Sequence, residues 1–327
     1  MQRRQMLSLA MVVLAGRSLP ALAQQEKRVR RIGFFSLASM QDHAPYLAAF
    51  RKGMAELGWV DGRDYVIDAR FTNGIALAGR DLAAEIVATQ PDLLLTPADT
   101  STRLLIQRTR TIPIVFVSAQ DPVGSGNAAS LRQPGGNATG LATLARDLSA
   151  KRLQLLKEAF PRVAHVVMLY EPDNVGSDSQ AKEILAAAPR LGIRITAIGL
   201  RQPAEIEQAL KRGSALGAQA YIVIQGGVIT VLRGTIGDRL TRLKIPAMFP
   251  LTSFVEAGGL MSYGPSLTDN YRRAAAYVDK ILKGAKPGDL PIEQPTTFEL
   301  VVNMKAAKAM GFSFPQSFLV RVDRAIE

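Results

Sequence analysis

From Arg31 onward the chain alternates short β-branched runs with longer amphipathic ones, and that alternation leaves few folds open. The spacing predicts strand Ile32 to Phe35, helix Pro45 to Leu57, strand Tyr65 to Phe71, helix Leu77 to Ala88, strand Leu93 to Thr96, helix Ser101 to Arg108 and strand Ile114 to Val117. Strands linked through helices by connections of a few residues must run parallel, in a sheet with helices on both faces. Right-handed crossovers then fix the winding.

A helical run from Ser149 to Ala159 leads into a second series of the same kind. It reads strand Val163 to Tyr170, helix Asp178 to Arg190, strand Ile193 to Ile198, helix Ala204 to Leu216, strand Ala220 to Ile224, helix Val228 to Leu243 and strand Ala247 to Pro250. No sequence repeat is visible, so the correspondence is architectural. The expected fold class is α/β: two similar Rossmann-like lobes with parallel sheets flanked by helices, facing each other across a cleft. Beyond them come a strand at Gly258 to Tyr263, an amphipathic helix at Asp269 to Lys283 stopped by Gly284 and Pro287, and an extended Pro-rich stretch from Lys286 to Pro295. Strand Phe298 to Asn303, helix Met304 to Met310 and a closing segment Phe318 to Ile326 complete the chain. A chain that returns to its first lobe makes several crossings, and so a hinge that bends without wandering. The expected division is residues 24–142 with 268–290 for the N-terminal lobe, and 143–267 with 291–327 for the C-terminal lobe.

Residues 1–23 read as a leader: Arg3 and Arg4, an apolar run from Leu7 to Ala15, and a small-x-small site at Ala21-Leu22-Ala23. Gln2-Arg3-Arg4-Gln5-Met6-Leu7 resembles a twin-arginine export signal. With no cysteine at the cleavage site, a soluble periplasmic protein is expected. The absence of Cys from all 327 residues also excludes disulfides and thiolate metal sites. The formal charge is +12, and removing the leader's three arginines leaves +9. The basic residues are spread through amphipathic helices, which reads as solvated helix faces and not as a nucleic-acid surface. No second apolar stretch approaches the length of a membrane-spanning helix.

The two histidines, His43 and His165, bound the chemistry. His165 sits inside an apolar strand, His43 in the loop after the first strand, and no G-x-S-x-G elbow accompanies either, so neither a catalytic triad nor a transition-metal site is expected. Gly124-Ser125-Gly126-Asn127-Ala128-Ala129 matches G-x-G-x-x-A formally, but residues 120–123 separate it from the strand and Pro134 ends any helix after it. No cofactor is expected. What remains is polar groups at strand ends, where open α/β sheets bind ligands. In the first half these are Ser36 with His43, then Thr96, Ala98, Asp99 and Thr100, then Ser118 and Asp121. In the second half they are Glu171, Asn174 and Ser177, then Gln225. Each loop precedes a helix, so free N–H groups and small hydroxyls collect there, although any one Ser, Thr or Asp could be an ordinary cap. Trp59 is expected to pack its turn, Asp121-Pro122 to order the interlobe loop, and Tyr263 either to line the cleft or to brace the hinge.

The stretch Thr111 to Gly140, with the pattern tIPIVF-x3-DPV followed by SL-x2-PGGN-x-TG, resembles a family of bacterial ABC-transporter substrate-binding proteins whose members include binders of aromatic amino acids. The resemblance extends from about Arg31 to Glu327 through Leu57-Gly58-Trp59-Val60-Asp61-Gly62, Lys151-Arg152-Leu153, Gly258-Gly259-Leu260-Met261-Ser262-Tyr263-Gly264, Ile281-Leu282-Lys283-Gly284-Ala285-Lys286-Pro287, Leu290-Pro291 and Gln294-Pro295. It implies a type I periplasmic-binding-protein fold that closes on a small ligand and docks, as a monomer, on a membrane permease. By resemblance, His43, the turn Thr96-Pro97-Ala98 and Asn174 are ligand contacts. The usual Asp-Asn after the strand ending near Ile224 is replaced by Gln225-Gly226-Gly227, which leaves Asp99 or Glu171 as the acidic partner of an amino group. A ligand sensor without transport and an exported α/β enzyme are the alternative readings.

Overall fold

A computed structural model describes residues 28–75 and 78–327. The leader-like residues 1–23 and Leu77, where the second helix was expected to start, lie outside the described residues. The first sheet is built from β1 (Arg30–Ser36), β2 (Tyr65–Phe71), β3 (Leu93–Thr96), β4 (Ile114–Ala119) and β5 (Ala138–Ala142), with α1 (Met40–Glu56), α2 (Gly79–Ala88) and α3 (Asp99–Ile106) between strands. Its order is β2-β1-β3-β4-β5 and every neighbouring pair is parallel. The β-branched and Leu-rich runs explain this: Leu93, Leu94 and Leu95 and residues 114–117 are all buried, as strands covered on both faces must be.

The second lobe begins with α4 (Asp147–Ala159) and continues through β6 (His165–Tyr170), α5 (Val175–Ala187), β7 (Arg194–Gly199), α6 (Ile206–Ala215), β8 (Ala220–Val223), α7 (Gly227–Val231), α8 (Arg233–Arg242), β9 (Ala247–Phe249), α9 (Thr252–Glu256) and β10 (Met261–Pro265). The chain then forms α10 (Leu267–Leu282), β11 (Phe298–Asn303), α11 (Met304–Met310), α12 (Gln316–Leu319) and β12 (Arg324–Ile326). The second sheet has the order β12-β11-β10-β9-β8-β6-β7 and is parallel except where β11 meets β10. That reversal follows from the route of the chain: β11 enters the second lobe from the other side after the excursion through α10.

Several elements differ from the sequence-based expectation, each for a local reason. Helix α1 starts five residues before Pro45, because Ser39 and Asp42 form a capping box: Ser39 Oγ accepts from the Asp42 N–H and Asp42 Oδ2 accepts from the Ser39 N–H. His43 therefore lies in the first turn of a helix and not in a loop. The stretch after β4 is not loop throughout, since residues 138–142 form edge strand β5. Gly140 allows it: φ is +146°, and a Cβ there would stand 1.8 Å from the Phe116 carbonyl oxygen. The long helix expected over 228–243 breaks at Leu232 into α7 and α8, and α9 fills what was read as loop.

Helix α10 packs along α1 and on β4, and its Tyr271, Ala274, Ala275 and Val278 share one apolar cluster with Phe34, Leu47, Phe50 and Met54 of the first lobe. Contact between the two helices is close at Gly53, where a Cβ would lie 2.2 Å from the Arg272 carbonyl oxygen. Gly53→Ala is expected to wedge the helices apart and lower stability by about 1–3 kcal/mol in urea denaturation. An unchanged midpoint would mean the helices can slide at little cost. Among the described residues no helix is long and apolar enough to cross a membrane.

Candidate functional site

A cavity of about 550 Å³ lies between the lobes, at the carboxyl ends of strands from both sheets. The first lobe contributes Ser36, Leu37 and Ala38 after β1, Pro97, Ala98, Thr100 and Ser101 after β3, and Ser118 and Gln120 after β4. The second contributes Glu171, Asp173 and Asn174 after β6, Arg201 after β7, Gln225 to Val228 after β8, and Leu251 and Ser253 after β9. This is the edge where strands deliver side chains and helix starts present N–H groups.

The first-lobe wall is aromatic. His43 packs edge-on against Phe34, Tyr46 and Tyr271, and Tyr46 stacks on Tyr271 with centroids 5.3 Å apart and an interplanar angle of 19°. His43 Nδ1 stands 3.1 Å from the Ser39 carbonyl, which can only accept. The proton is thus on Nδ1, leaving Nε2 to accept from the Ser36 hydroxyl at 3.3 Å. Burial, aided by Arg233 and opposed by Ser39 and Asp42, lowers the His43 pKa below its usual 6.5. The unfolded chain then takes up the proton first, so stability is full above about 6.5 and falls as pH drops from there toward the folded value. Between about pH 7.5 and about pH 5.5 the unfolding free energy of the parent should fall more steeply than that of His43→Asn, by at most about 1.4 kcal/mol per pH unit. Parallel curves would show that this ring does not titrate in the window.

The lobes touch across the cleft. Arg233 of α8 donates to Asp42 of α1, with side-chain exposures of 23% and 11%. Gln180 Nε2 donates to Gln120 Oε1 at 2.9 Å, and Tyr46 reaches Ser253. These contacts define a closed arrangement.

Two polar atoms of cavity-lining residues, Gln225 Oε1 and Tyr271 Oη, are buried without a partner among the described residues. Buried polar groups left unpaired are costly, and neither atom is open to the cavity in this arrangement. Glu171 is 9% exposed and seats its carboxylate at the start of α7, where Oε1 accepts from the Ile229 N–H at 2.9 Å and Oε2 from the Gly227 N–H at 3.2 Å. Burial raises its pKa and these donors pull it back. Gly226 makes the seat possible, because a Cβ there would be 2.1 Å from Glu171 Oε1.

Of the residues singled out in the sequence, the fold brings Ser36, His43, Ala98, Thr100, Ser118, Glu171, Asn174 and Gln225 to the cavity. The others do not line it. Thr96 Oγ1 lies 2.9 Å from the Phe35 carbonyl oxygen and 2.6 Å from Ser101 Oγ, inside the first lobe. Asp99 is fully enclosed, accepting from the N–H groups of Gln120 and Asp121 at 2.6 and 3.0 Å and from Asn127; burial raises its pKa against these donors. Asp121 Oδ1 accepts from the Gly124 N–H, and Ser177 Oγ accepts the Glu171 N–H inside the second lobe. Tyr263 packs on Phe298, while its carbonyl accepts from Arg152. Trp59 Nε1 donates to Asp279, tying its turn to α10. Asp42, Tyr46, Arg201, Arg233 and Tyr271 also line the cavity, and strand-end reasoning missed them. The capping box marked Asp42 in the sequence, and Tyr46 follows His43 by one helical turn. No local signal marks Tyr271, which arrives on a helix 225 residues further along. Among the described residues no group of three or more His, Cys, Asp or Glu could hold a metal ion.

A family model described as ABC transporter substrate binding protein matches residues 43–326. A tyrosine-binding protein of Clostridioides difficile (strain R20291) is 24% identical over 286 residues, covering 87% of this chain and 81% of its own. Among solved structures, an ABC domain from Streptococcus pneumonia in complex with L-Trp superposes with a TM-score of 0.84 at 25% identity, over 91% of this chain and 100% of that one. A ligand-free, open substrate-binding protein with adhesive properties from Clostridium difficile gives a TM-score of 0.65 at 22% identity, over 91% and 99% of the two chains.

Proposed function

Because the chain belongs to the ABC transporter substrate-binding protein family, we propose that it is an exported receptor that closes its lobes over an aromatic amino acid or a related aromatic carboxylate and hands it to an ABC permease. The observation that carries this reading is the cavity itself. It is enclosed by both lobes and walled on one side by the stacked Tyr46 and Tyr271. A ring-bearing ligand would bury against the aromatic wall, with each ring pair contributing about 0.5–1.5 kcal/mol beyond area burial. The tyrosine-binding and L-Trp-bound relatives support the same ligand class. The leader-like start supports export to the periplasm, and the bending segments are taken to lie near residues 142, 267 and 290.

No catalytic step is part of this function. Ligand binding stabilises the closed arrangement by its differential affinity for it, and a permease that reads the closed form then distinguishes loaded from empty receptor.

The test is a thermal-shift screen of the chain lacking residues 1–23, refolded to strip bound ligand, against amino acids, aromatic acids, sugars and nucleosides. At a hundredfold excess over Kd a true ligand adds about 2.7 kcal/mol, a shift of several degrees. Shifts confined to aromatic amino acids or aromatic acids are expected. A response to sugars or nucleosides alone, or to nothing, would overturn the assignment.

A further inference from the structure

Gln120 follows β4 in the first lobe, lines the cavity and is 6% exposed, while Gln180 on α5 of the second lobe is fully buried. The two amides meet across the lobes, with Gln180 Nε2 2.9 Å from Gln120 Oε1. Fixed neighbours decide which end of each amide faces which way. Gln180 Nε2 also donates to the Gly176 carbonyl at 3.0 Å, a group that can only accept, and Gln180 Oε1 accepts from Arg152 Nη1 at 3.4 Å, a group that can only donate. Gln180 thus turns its N–H side to Gln120, and Gln120 must answer with its oxygen. Gly176 gives the room, because a Cβ there would stand 2.7 Å from Gln120 Oε1. The Gln120 main chain is fixed as well: its N–H and that of Asp121 donate to Asp99 Oδ2 at 2.6 and 3.0 Å. What is left over is Gln120 Nε2. It has no hydrogen-bond partner among the described residues, and it is not one of the unpaired atoms that are closed off.

Resting on the function proposed above, we propose that Gln120 Nε2 donates to a carboxylate oxygen of the ligand, and that Gln180 is the positioning residue that holds this donor toward the cavity. The donations run in one direction, from the Arg152 guanidinium to Gln180, from Gln180 to Gln120 and from Gln120 to the ligand. In such a chain each donation strengthens the next, and a start on a cation favours an anionic acceptor at the end. Because Gln120 and Gln180 belong to different lobes, the donor is oriented only in the closed arrangement. A ligand with no acceptor at this place leaves Nε2 unmet and gains nothing from the chain.

The probes are L-tryptophan, L-tyrosine and L-phenylalanine, and for each the amine that lacks the carboxylate. In heteronuclear NMR of the refolded protein, the side-chain amide signals of Gln120, assigned by their loss in Gln120→Met, should shift when the best-binding amino acid saturates the site. Signals that stay in place at saturation overturn the proposal, and this result needs no variant that binds. Gln180→Glu keeps the size of the side chain and gives Arg152 an anionic partner, but it presents only acceptors to Gln120. The Gln120 amide then turns over and points its oxygen at the ligand. By calorimetry the Kd of the amino acid should rise about 10- to 100-fold, the scale of one hydrogen bond to a charged group, while that of the amine changes by less than about threefold. Equal losses for amino acid and amine would mark Gln180 as merely structural and overturn the proposal, as would a folded variant with the parent's affinity. If Gln180→Glu does not fold, Gln120→Met removes the donor alone and should show the same split between the probes. Binding without that split sinks the donor and leaves the aromatic-receptor reading intact, whereas no binding of either series to folded parent sinks both.

Discussion

Replacing Arg152 by methionine is expected to destabilise the protein by roughly 3–5 kcal/mol while keeping the volume of the side-chain stem. Arg152 is 3% exposed, on α4, and no carboxylate pairs with it among the described residues. Its guanidinium is held by oxygens alone: Nε donates to the Tyr263 carbonyl at 2.7 Å, Nη1 to the Ala145 carbonyl at 3.2 Å and to Gln180 Oε1 at 3.4 Å, and Nη2 to the Pro250 carbonyl at 3.4 Å. Ala145 lies between β5 and α4, Pro250 follows β9, and Tyr263 lies in β10. One side chain therefore ties three chain segments together. Burial pulls its pKa down to about 10, which still leaves it charged at neutral pH. Removing it strands several buried carbonyls at once, each worth about 1–3 kcal/mol unsatisfied. The melting temperature should fall by roughly 6–15 °C. Arg152→Lys should recover only part of this, because an ammonium cannot reproduce the fork that spans the carbonyls. A methionine variant as stable as the parent in urea and heat would show that these segments hold together without the guanidinium.

The second large effect concerns closure. Arg233 and Asp42 meet across the cleft, one from each lobe, and both are largely shielded from water. Burial works to raise the Asp42 pKa, but hydrogen bonds from Ser39 and Arg233 outweigh it and hold the carboxyl below its usual value. Arg233→Glu would replace attraction by repulsion at the ion pair that joins α1 to α8. Apparent affinity falls by the fraction of molecules able to close, so Kd should rise by about 10- to 100-fold. The ligand-free variant should also show a larger radius of gyration by small-angle scattering. Adding Asp42→Lys restores opposite charges in reversed order and should recover most of both quantities. Unchanged affinity and radius in the single variant would remove the pair from the closing mechanism. Salt should weaken binding to the parent only modestly, because a shielded pair is screened less than a surface one.

The strands could be read because each is a short run of β-branched and Leu residues buried on both faces, a pattern that needs no knowledge of neighbours. Helix starts were harder. Pro45 suggested a first helical residue, whereas Ser39 and Asp42 capped the helix five residues earlier and carried His43 into it. Strand β5 was hidden because Pro134, Gly135 and Gly136 precede it, and Gly140 inside it looked like loop until its contact with Phe116 made a side chain impossible.

The candidate site divides along the same line. Loops that end strands and begin helices were identifiable one by one, and most of the polar residues named in them reach the cavity. Which of their side chains face inward was not a local matter. Asp99 turns away because the N–H groups of Gln120 and Asp121, more than twenty residues later, close over its carboxylate. Glu171 faces the cavity because Gly226, fifty-five residues later, has no side chain to exclude it. Tyr271 joins the wall only because α10 returns to the first lobe. The amino-acid order alone determined the alternation of strand and helix, and hence two mainly parallel sheets with their carboxyl edges facing a cleft, since backbone pairing and apolar periodicity act over a few residues. Tertiary structure decided which carboxylates are buried, which are paired and which stay open to a ligand, since hydrogen bonds and steric exclusion depend on groups brought together from distant parts of the chain.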